Sequence, residues 1–165
     1  MNNIQKIEAV QAVIAILLPN YGTFLFYFQF HMNNDEIYND LTVPSWTPSY
    51  RTFKLIWTCF YCIIGLASFL VFKEISLVGN QAVSKASKVI LIIFYSIHVP
   101  ACWAWLPLLG GLKNIGGAVT VLLLAGSTAT TITPLVWYVN KIAAVLFLPH
   151  IAWIIFLITW TLQVS

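Results

Sequence analysis

Residues 44–72 read PSWTPSYRTFKLIWTCFYCIIGLASFLVF, and this stretch decides the fold. It opens on Pro44-Ser45-Trp46-Thr47-Pro48, where two prolines fix the backbone on either side of a large amphipathic ring. From Thr52 to Phe72 the chain is mostly apolar with Lys54 its one charge, over about 20 residues, the length that crosses a hydrocarbon core of roughly 30 Å. A stiff aromatic turn leading into such a run suits a lid over a pocket at the mouth of a helical bundle. A plain tether between two spans would not need it.

The rest of the chain repeats the apolar theme. Of 165 residues 60% are apolar and 8% charged, against about 25% charged in a water-soluble domain. The charges are segregated: Asp35, Glu36, Asp40 and Arg51 in one interval, Lys73, Glu74, Lys85 and Lys88 in another, then Lys113 and Lys141. Between them the sequence predicts five spans, about Ile7–Phe30, Thr52–Phe72, Ser87–Leu109, Gly116–Tyr138 and Ile142–Leu162. Lipid requires each segment to satisfy its own backbone donors and acceptors, and the alternation of a membrane β-barrel is absent, so the spans are read as helices. The fold class is an all-α membrane protein, a five-transmembrane-helix bundle, with residues 1–165 as a single domain. The first span lacks a basic start and a small-residue cleavage site and carries Pro19-Asn20 in its middle, unlike a cleaved signal peptide. Lys6, Lys73, Lys85, Lys88 and Lys141 fall on one side and Arg51, Lys54 and Lys113 on the other, which would put the N-terminus inside. The net charge of +3 forms no basic patch, so nucleic acid is not an expected partner.

The spans are marked by aromatic stripes. Phe53, Trp57 and Tyr61 share one helix face at i, i+4 and i+8, and Trp153, Phe156 and Trp160 share another at i, i+3 and i+7. Trp103 and Trp105 point to nearly opposite faces, so one of them at most lines a given cavity. Trp and Tyr also serve as interfacial anchors, but Trp57 and Trp153 stand several positions from charged loop residues. The fourth span is rich in small residues, among them Ala125 and Ala129, which permit close helix approach and are expected to mediate a homodimer. Asn20 needs a partner across a helix interface. Cys59-x-x-Cys62 has a redox spacing but lies inside an apolar helix with no cation to lower a thiol pKa, so it reads as apolar filler. His98 is an ionisable group at membrane depth, which fits either a functional role or a hydrogen bond to a neighbouring helix. His31, His98 and His150 are scattered without ligand-pair spacing, so no metal site is expected, and no cofactor. No nucleophile–base set, paired carboxylates or phosphate loop occurs. Membrane-buried carboxylates are absent, which argues against a proton-coupled transporter.

In order and spacing, several of these pieces resemble the translocator protein family, also called tryptophan-rich sensory proteins or peripheral-type benzodiazepine receptors. They are Pro19, Tyr38, Pro44-Ser45-Trp46-Thr47-Pro48, Ile56-Trp57, Phe72-Lys73-Glu74, Trp103-Ala104-Trp105-x-Pro107, Ala129-Thr130-Thr131 and Pro149-x-x-Ala152-Trp153. The resemblance covers nearly the whole chain. It implies a five-helix bundle whose cavity opens at the first loop and takes porphyrins, sterols or benzodiazepine-like drugs. By matching position, the ligand would touch Tyr38, Pro48, Phe53, Trp57, Tyr61, Trp105, Thr120, Leu124, Trp153 and Leu157. Flat aromatic walls suit a flat apolar guest, and a preformed pocket with few polar contacts is expected.

The chain departs from the family pattern in five places. Cys102 stands where an Asn usually precedes Trp-Ala-Trp, Ser49 replaces a second proline, Gly117 a tryptophan and Val121 an acid. The tail, Trp160-Thr161-Leu162-Gln163-Val164-Ser165, lacks the tyrosine and basic residue of the animal sterol motif, so this looks like a divergent member. The leading expectation is a carrier or sensor that binds porphyrin or another polycyclic hydrophobic ligand. One alternative is a light- and oxygen-dependent porphyrin-degrading enzyme using Trp57 and Trp153. The other is a structural membrane subunit that only scaffolds partners. Lys73-Glu74 resembles eukaryotic members, which implies the mitochondrial outer membrane.

Overall fold

Three helices of this chain begin on a side chain that caps them. Ser49 Oγ accepts from Thr52 N at 3.3 Å, Asn114 Oδ1 from Gly117 N at 2.8 Å, and Asn140 Oδ1 from Ala143 N at 2.9 Å. Each satisfies a backbone donor that the first helical turn would otherwise leave orphaned, a contribution of about 1 kcal/mol. The computed structural model describes residues 3–29, 41–77 and 81–164. Its helices are α1 (Asn3–Gln29), α2 (Tyr50–Leu77), α3 (Gln81–Leu106), α4 (Ile115–Val139) and α5 (Lys141–Thr161), with a π-helical turn at Pro107–Gly111 prolonging α3. No strand occurs among the described residues.

Four segments among those described are long and apolar enough to cross a membrane: Tyr50–Ile75, Ser87–Gly111, Ile115–Val139 and Lys141–Thr161. They match the second to fifth expected spans to within a few residues. α1 coincides with the first expected span as a helix but is not among these four. Large apolar side chains point outward on every span, including Leu55, Ile92, Leu123 and Ile155. The serine and threonine hydroxyls of α4 hide their polarity locally. Thr120, Thr130, Thr131 and Thr133 each donate to the carbonyl four residues back, at 2.6–2.8 Å.

The core is layered along the bundle. At the end nearest the Pro44–Pro48 turn it is aromatic, with Phe53, Trp105, Trp153 and Trp160. The middle layer holds Tyr61, Ile64, Cys102, Ala125, Ala129 and Ile154. At the far end it is aliphatic, with Val71, Ile75, Ile132, Val136 and Phe147. Ala125 and Ala129 are fully buried here. Their small side chains let α3 and α5 approach α4 within one chain, so the self-association expected through them is corrected: that face is already used.

α1 docks antiparallel on α2. Lys73 pairs with Glu8 at 2.9 Å, and Asn20 Nδ2 reaches both Ile16 O and Cys62 Sγ at 3.4 Å, which supplies the partner expected for Asn20. Pro19 cannot donate to the carbonyl of Ala15 four residues back. Gly65 of α2 lies directly against that carbonyl, where a Cβ would collide with Ala15 O and Ile16 Cα. Gly22 in turn makes room for the ring of Trp103, whose Nε1 donates to Pro19 O at 3.0 Å. Gly65→Ala should therefore destabilise the detergent-solubilised protein by about 1–3 kcal/mol. Gly116→Ala, where the nearest atom to an added Cβ is 3.8 Å away, should leave the thermal midpoint nearly unchanged. Equal midpoints for the two variants would refute this account of α1 docking.

Candidate functional site

The aromatic end of the core is built from three helix faces and one turn. α2 presents Phe53, Trp57 and Phe60, α3 presents Trp105, and α5 presents Trp153, Phe156 and Trp160. Phe53 is central, with ring centroids 5.8 Å from Trp105, 5.2 Å from Trp153 and 5.5 Å from Trp160. Trp57 stacks on Tyr61 at 5.1 Å and meets the edge of Trp153 at 6.3 Å. Trp153 lies between Phe60 at 5.6 Å and Phe156 at 4.8 Å, stacked on both. These are the offset and edge-on separations that aromatic quadrupoles favour, each worth about 0.5–1.5 kcal/mol beyond area burial.

Two of the indoles are pinned. Trp105 Nε1 donates to Thr161 Oγ1 at 2.9 Å, and Trp160 Nε1 to Thr47 Oγ1 at 2.8 Å. The third is not: Trp153 Nε1 is buried and has no hydrogen-bond partner. The second of these bonds fixes the Pro44–Pro48 turn. Thr47 N donates to Pro44 O at 3.0 Å, closing a β-turn over Ser45 and Trp46. Trp46 rests edge-on against Phe156 at 5.6 Å, and this ring contact and the Trp160–Thr47 hydrogen bond both hold the turn to α5. Arg51 and Lys54 stand exposed at the start of α2 beside it.

Of the residues expected at a ligand, Phe53, Tyr61, Trp105, Trp153 and Leu157 are buried in this end of the bundle or the layer beneath it. Trp57 is half-buried among them and Pro48 half-buried in the turn. Thr120 and Leu124 are exposed on the outer face of α4, which turns Ala118, Val121 and Leu122 toward the cluster instead. Tyr38 lies outside the described residues. The expectation omitted Phe60, Phe156 and Trp160. The i, i+3, i+7 spacing from Trp153 already pointed to the last two. It also missed a contact no spacing reveals: His98, Cys102 and His150 converge in the layer beneath, next to Phe60, whose ring is 5.7 Å from that of His150.

Comparison with known proteins places the chain in a family. Residues 15–164 match the model of the TspO/MBR family. The chain is 32% identical to the Translocator protein of Sus scrofa over 149 residues, 90% of this chain and 84% of that one. It is 32% identical to the Translocator protein of Homo sapiens over 151 residues, covering 91% and 85%. Protein CrtK of Rhodobacter capsulatus is 23% identical over 117 residues, covering 71% and 69%.

Thr47→Val removes the acceptor that Trp160 Nε1 uses while keeping the side chain's shape. Loss of such a bond costs about 1–3 kcal/mol, and the turn should open more often. Limited trypsin digestion should cut after Arg51 about five-fold faster or more, with the thermal midpoint falling only slightly. An unchanged cleavage rate would show that the bond does not hold the turn.

Proposed function

This chain belongs to the TspO/MBR family and is an integral membrane protein; from that premise we propose that it binds a flat, hydrophobic polycyclic ligand among the rings beneath the Pro44–Pro48 turn. A porphyrin or related tetrapyrrole fits best, and sterols or benzodiazepine-like drugs are the wider class. The ligand site would comprise Pro48, Phe53, Trp57, Tyr61, Trp105, Trp153 and Leu157 with Phe60, Phe156 and Trp160, and Tyr38 from the preceding segment. The role is that of a carrier or sensor.

The observation that supports this reading is the bare indole N–H of Trp153. A buried donor with no acceptor costs about 1–3 kcal/mol, and here it sits between two stacked rings. A guest that slides between ring faces and offers one acceptor atom recovers that cost and replaces ring–ring contact with ring–guest contact of similar strength. The rings already touch one another, so entry requires them to part. The half-buried Trp57, Phe60 and Phe156 are placed to move first. Arg51 and Lys54 bring positive charge to the turn, which favours a guest carrying carboxylates, as porphyrins do.

α1 completes the membrane assignment in this proposal as a fifth crossing. Its 27 residues extend about 40 Å, and Ile7, Val10, Val13, Ile14, Leu17 and Leu18 form an exposed apolar face along it. The Lys73-Glu74 pair and the mammalian relatives support a mitochondrial outer membrane location. A homodimer would have to use a face other than Ala125 and Ala129.

Protoporphyrin titrated into the protein in detergent should quench tryptophan fluorescence saturably. Trp57→Ala combined with Trp153→Ala should weaken that binding at least tenfold, reported by the remaining tryptophans. Trp153→Phe keeps a ring but removes the N–H. It should cost about five-fold for a guest with an acceptor, the equivalent of roughly 1 kcal/mol, and nothing for a pure hydrocarbon such as pyrene. Equal saturable quenching in wild type and the double variant would overturn the site.

A further inference from the structure

His98 and Cys102 stand one turn apart on α3, and His150 faces them from α5. All three are buried, and His150 is wholly so. His98 Nε2 lies 3.1 Å from His150 Nε2 and 3.8 Å from Cys102 Sγ, and the three ligand atoms all fall within 4.8 Å of one another.

The orientation of His98 is set from its other side. Nδ1 is 3.0 Å from Ala125 O, which can only accept, so Nδ1 carries the proton and donates it. Thr128 Oγ1 lies 3.1 Å from the same nitrogen, and its own hydroxyl donates to Leu124 O or Ala125 O at 2.9 Å. With the proton on Nδ1, the Nε2 lone pair points at His150 and Cys102. A ring N–H held by a backbone carbonyl is how a metal-ligating histidine is oriented. His150 Nδ1, by contrast, is buried and has no partner.

We propose that His98, Cys102 and His150 bind one monovalent copper ion, Cu(I), in a three-coordinate site. Around an ion with nitrogen ligands at about 2.0–2.1 Å and sulfur at about 2.3 Å, neighbouring ligands stand roughly 3.3–3.6 Å (N to N) and 3.5–3.8 Å (N to S) apart. The observed 3.1 and 3.8 Å need a few tenths of an ångström of adjustment, and His150 and Cys102, within 4.8 Å of each other, close by up to about 1 Å. Imidazole and thiolate suit copper and zinc, and charge decides between them. Cu(I) with one thiolate and two neutral imidazoles is neutral, whereas Zn(II) leaves a net positive charge at membrane depth. Burying an uncompensated charge is costly, and among the described residues no carboxylate joins the group to offset it. A structural zinc site would also want a fourth ligand. Binding forms the copper–sulfur bond, breaks the S–H bond of Cys102 and releases that proton to solvent. His150 moves its proton from Nε2 to Nδ1, and nothing is oxidised or reduced.

The test uses the full chain in detergent, anaerobic and with ascorbate, carrying Cys59→Ser and Cys62→Ser so that Cys102 is the one thiol. Titration against the coloured Cu(I)–bicinchoninate complex should withdraw one equivalent of copper per chain. The copper X-ray absorption edge should fit one sulfur and two nitrogens. Cys102→Ser on that background, a one-atom change, should lower the affinity at least a hundredfold while the copper-free thermal midpoint stays in place. Should that variant fail to fold, the absorption spectrum of the parent decides: a shell without sulfur overturns the site. Copper withdrawal equal in parent and Cys102→Ser, no withdrawal at all, or one equivalent of Zn(II) bound in preference to Cu(I) would each overturn the assignment.

Discussion

A polar hydrogen in the hydrocarbon layer must find an acceptor inside the protein, because the solvent there supplies none. The side-chain contacts between helices follow from that constraint. Trp103 spends its indole proton on Pro19 O and so anchors α1 to α3. Trp105 gives its proton to Thr161, joining α3 to the end of α5. Trp160 gives its proton to Thr47, which brings the turn before α2 down onto α5. Asn20 reaches Cys62 across the α1–α2 seam. In a setting with no hydrophobic drive between helices, these bonds together with close small-residue packing specify which helix sits against which. Trp153, whose buried N–H has no acceptor, stands apart from these three tryptophans and draws a functional reading rather than a structural one.

The positions where the chain departs from the family pattern acquire local reasons. Ser49, in place of a proline, caps α2 through its hydroxyl. Gly117, in place of a tryptophan, lies so close to the capping amide of Asn114 that an added Cβ would stand 2.9 Å from Nδ2. The cap and a larger residue at this point compete for one space. Val121, in place of an acid, packs half-buried against the aromatic cluster. Cys102, in place of an asparagine, joins the two histidines.

The second to fifth spans were legible because hydropathy and length act over about 20 residues and tolerate local error. The faces of α2 and α5 were legible too, since their large aromatics repeat at helical spacing. α4 was not. Its small and hydroxylated residues surround the axis, and each hydroxyl bonds back into its own helix. The sequence therefore carries little sign of which side turns inward, and Thr120 and Leu124, expected at a ligand from the family resemblance alone, stand exposed on the outer face. The same lack of signal let Ala125 and Ala129 read as a surface for another copy, whereas they are packed within this one. The histidine pair was illegible for a different reason. His98 and His150 lie on helices separated by the whole of α4, so the contact is a product of topology and not of spacing.

The two proposed sites share a wall. Phe60 stacks on Trp153 above and contacts the ring of His150 below, while Trp153 and His150 follow one another by three residues on α5. A guest that parts Trp153 from its neighbours must move Phe60 or α5, and either motion bears on the nitrogen of His150. An ion that draws His150 toward Cys102 pulls α5 onto α3 and tightens the aromatic end above. Because binding free energies are reciprocal, any such coupling runs equally in both directions. Its sign follows from geometry: an ion that closes the bundle opposes a guest that opens it.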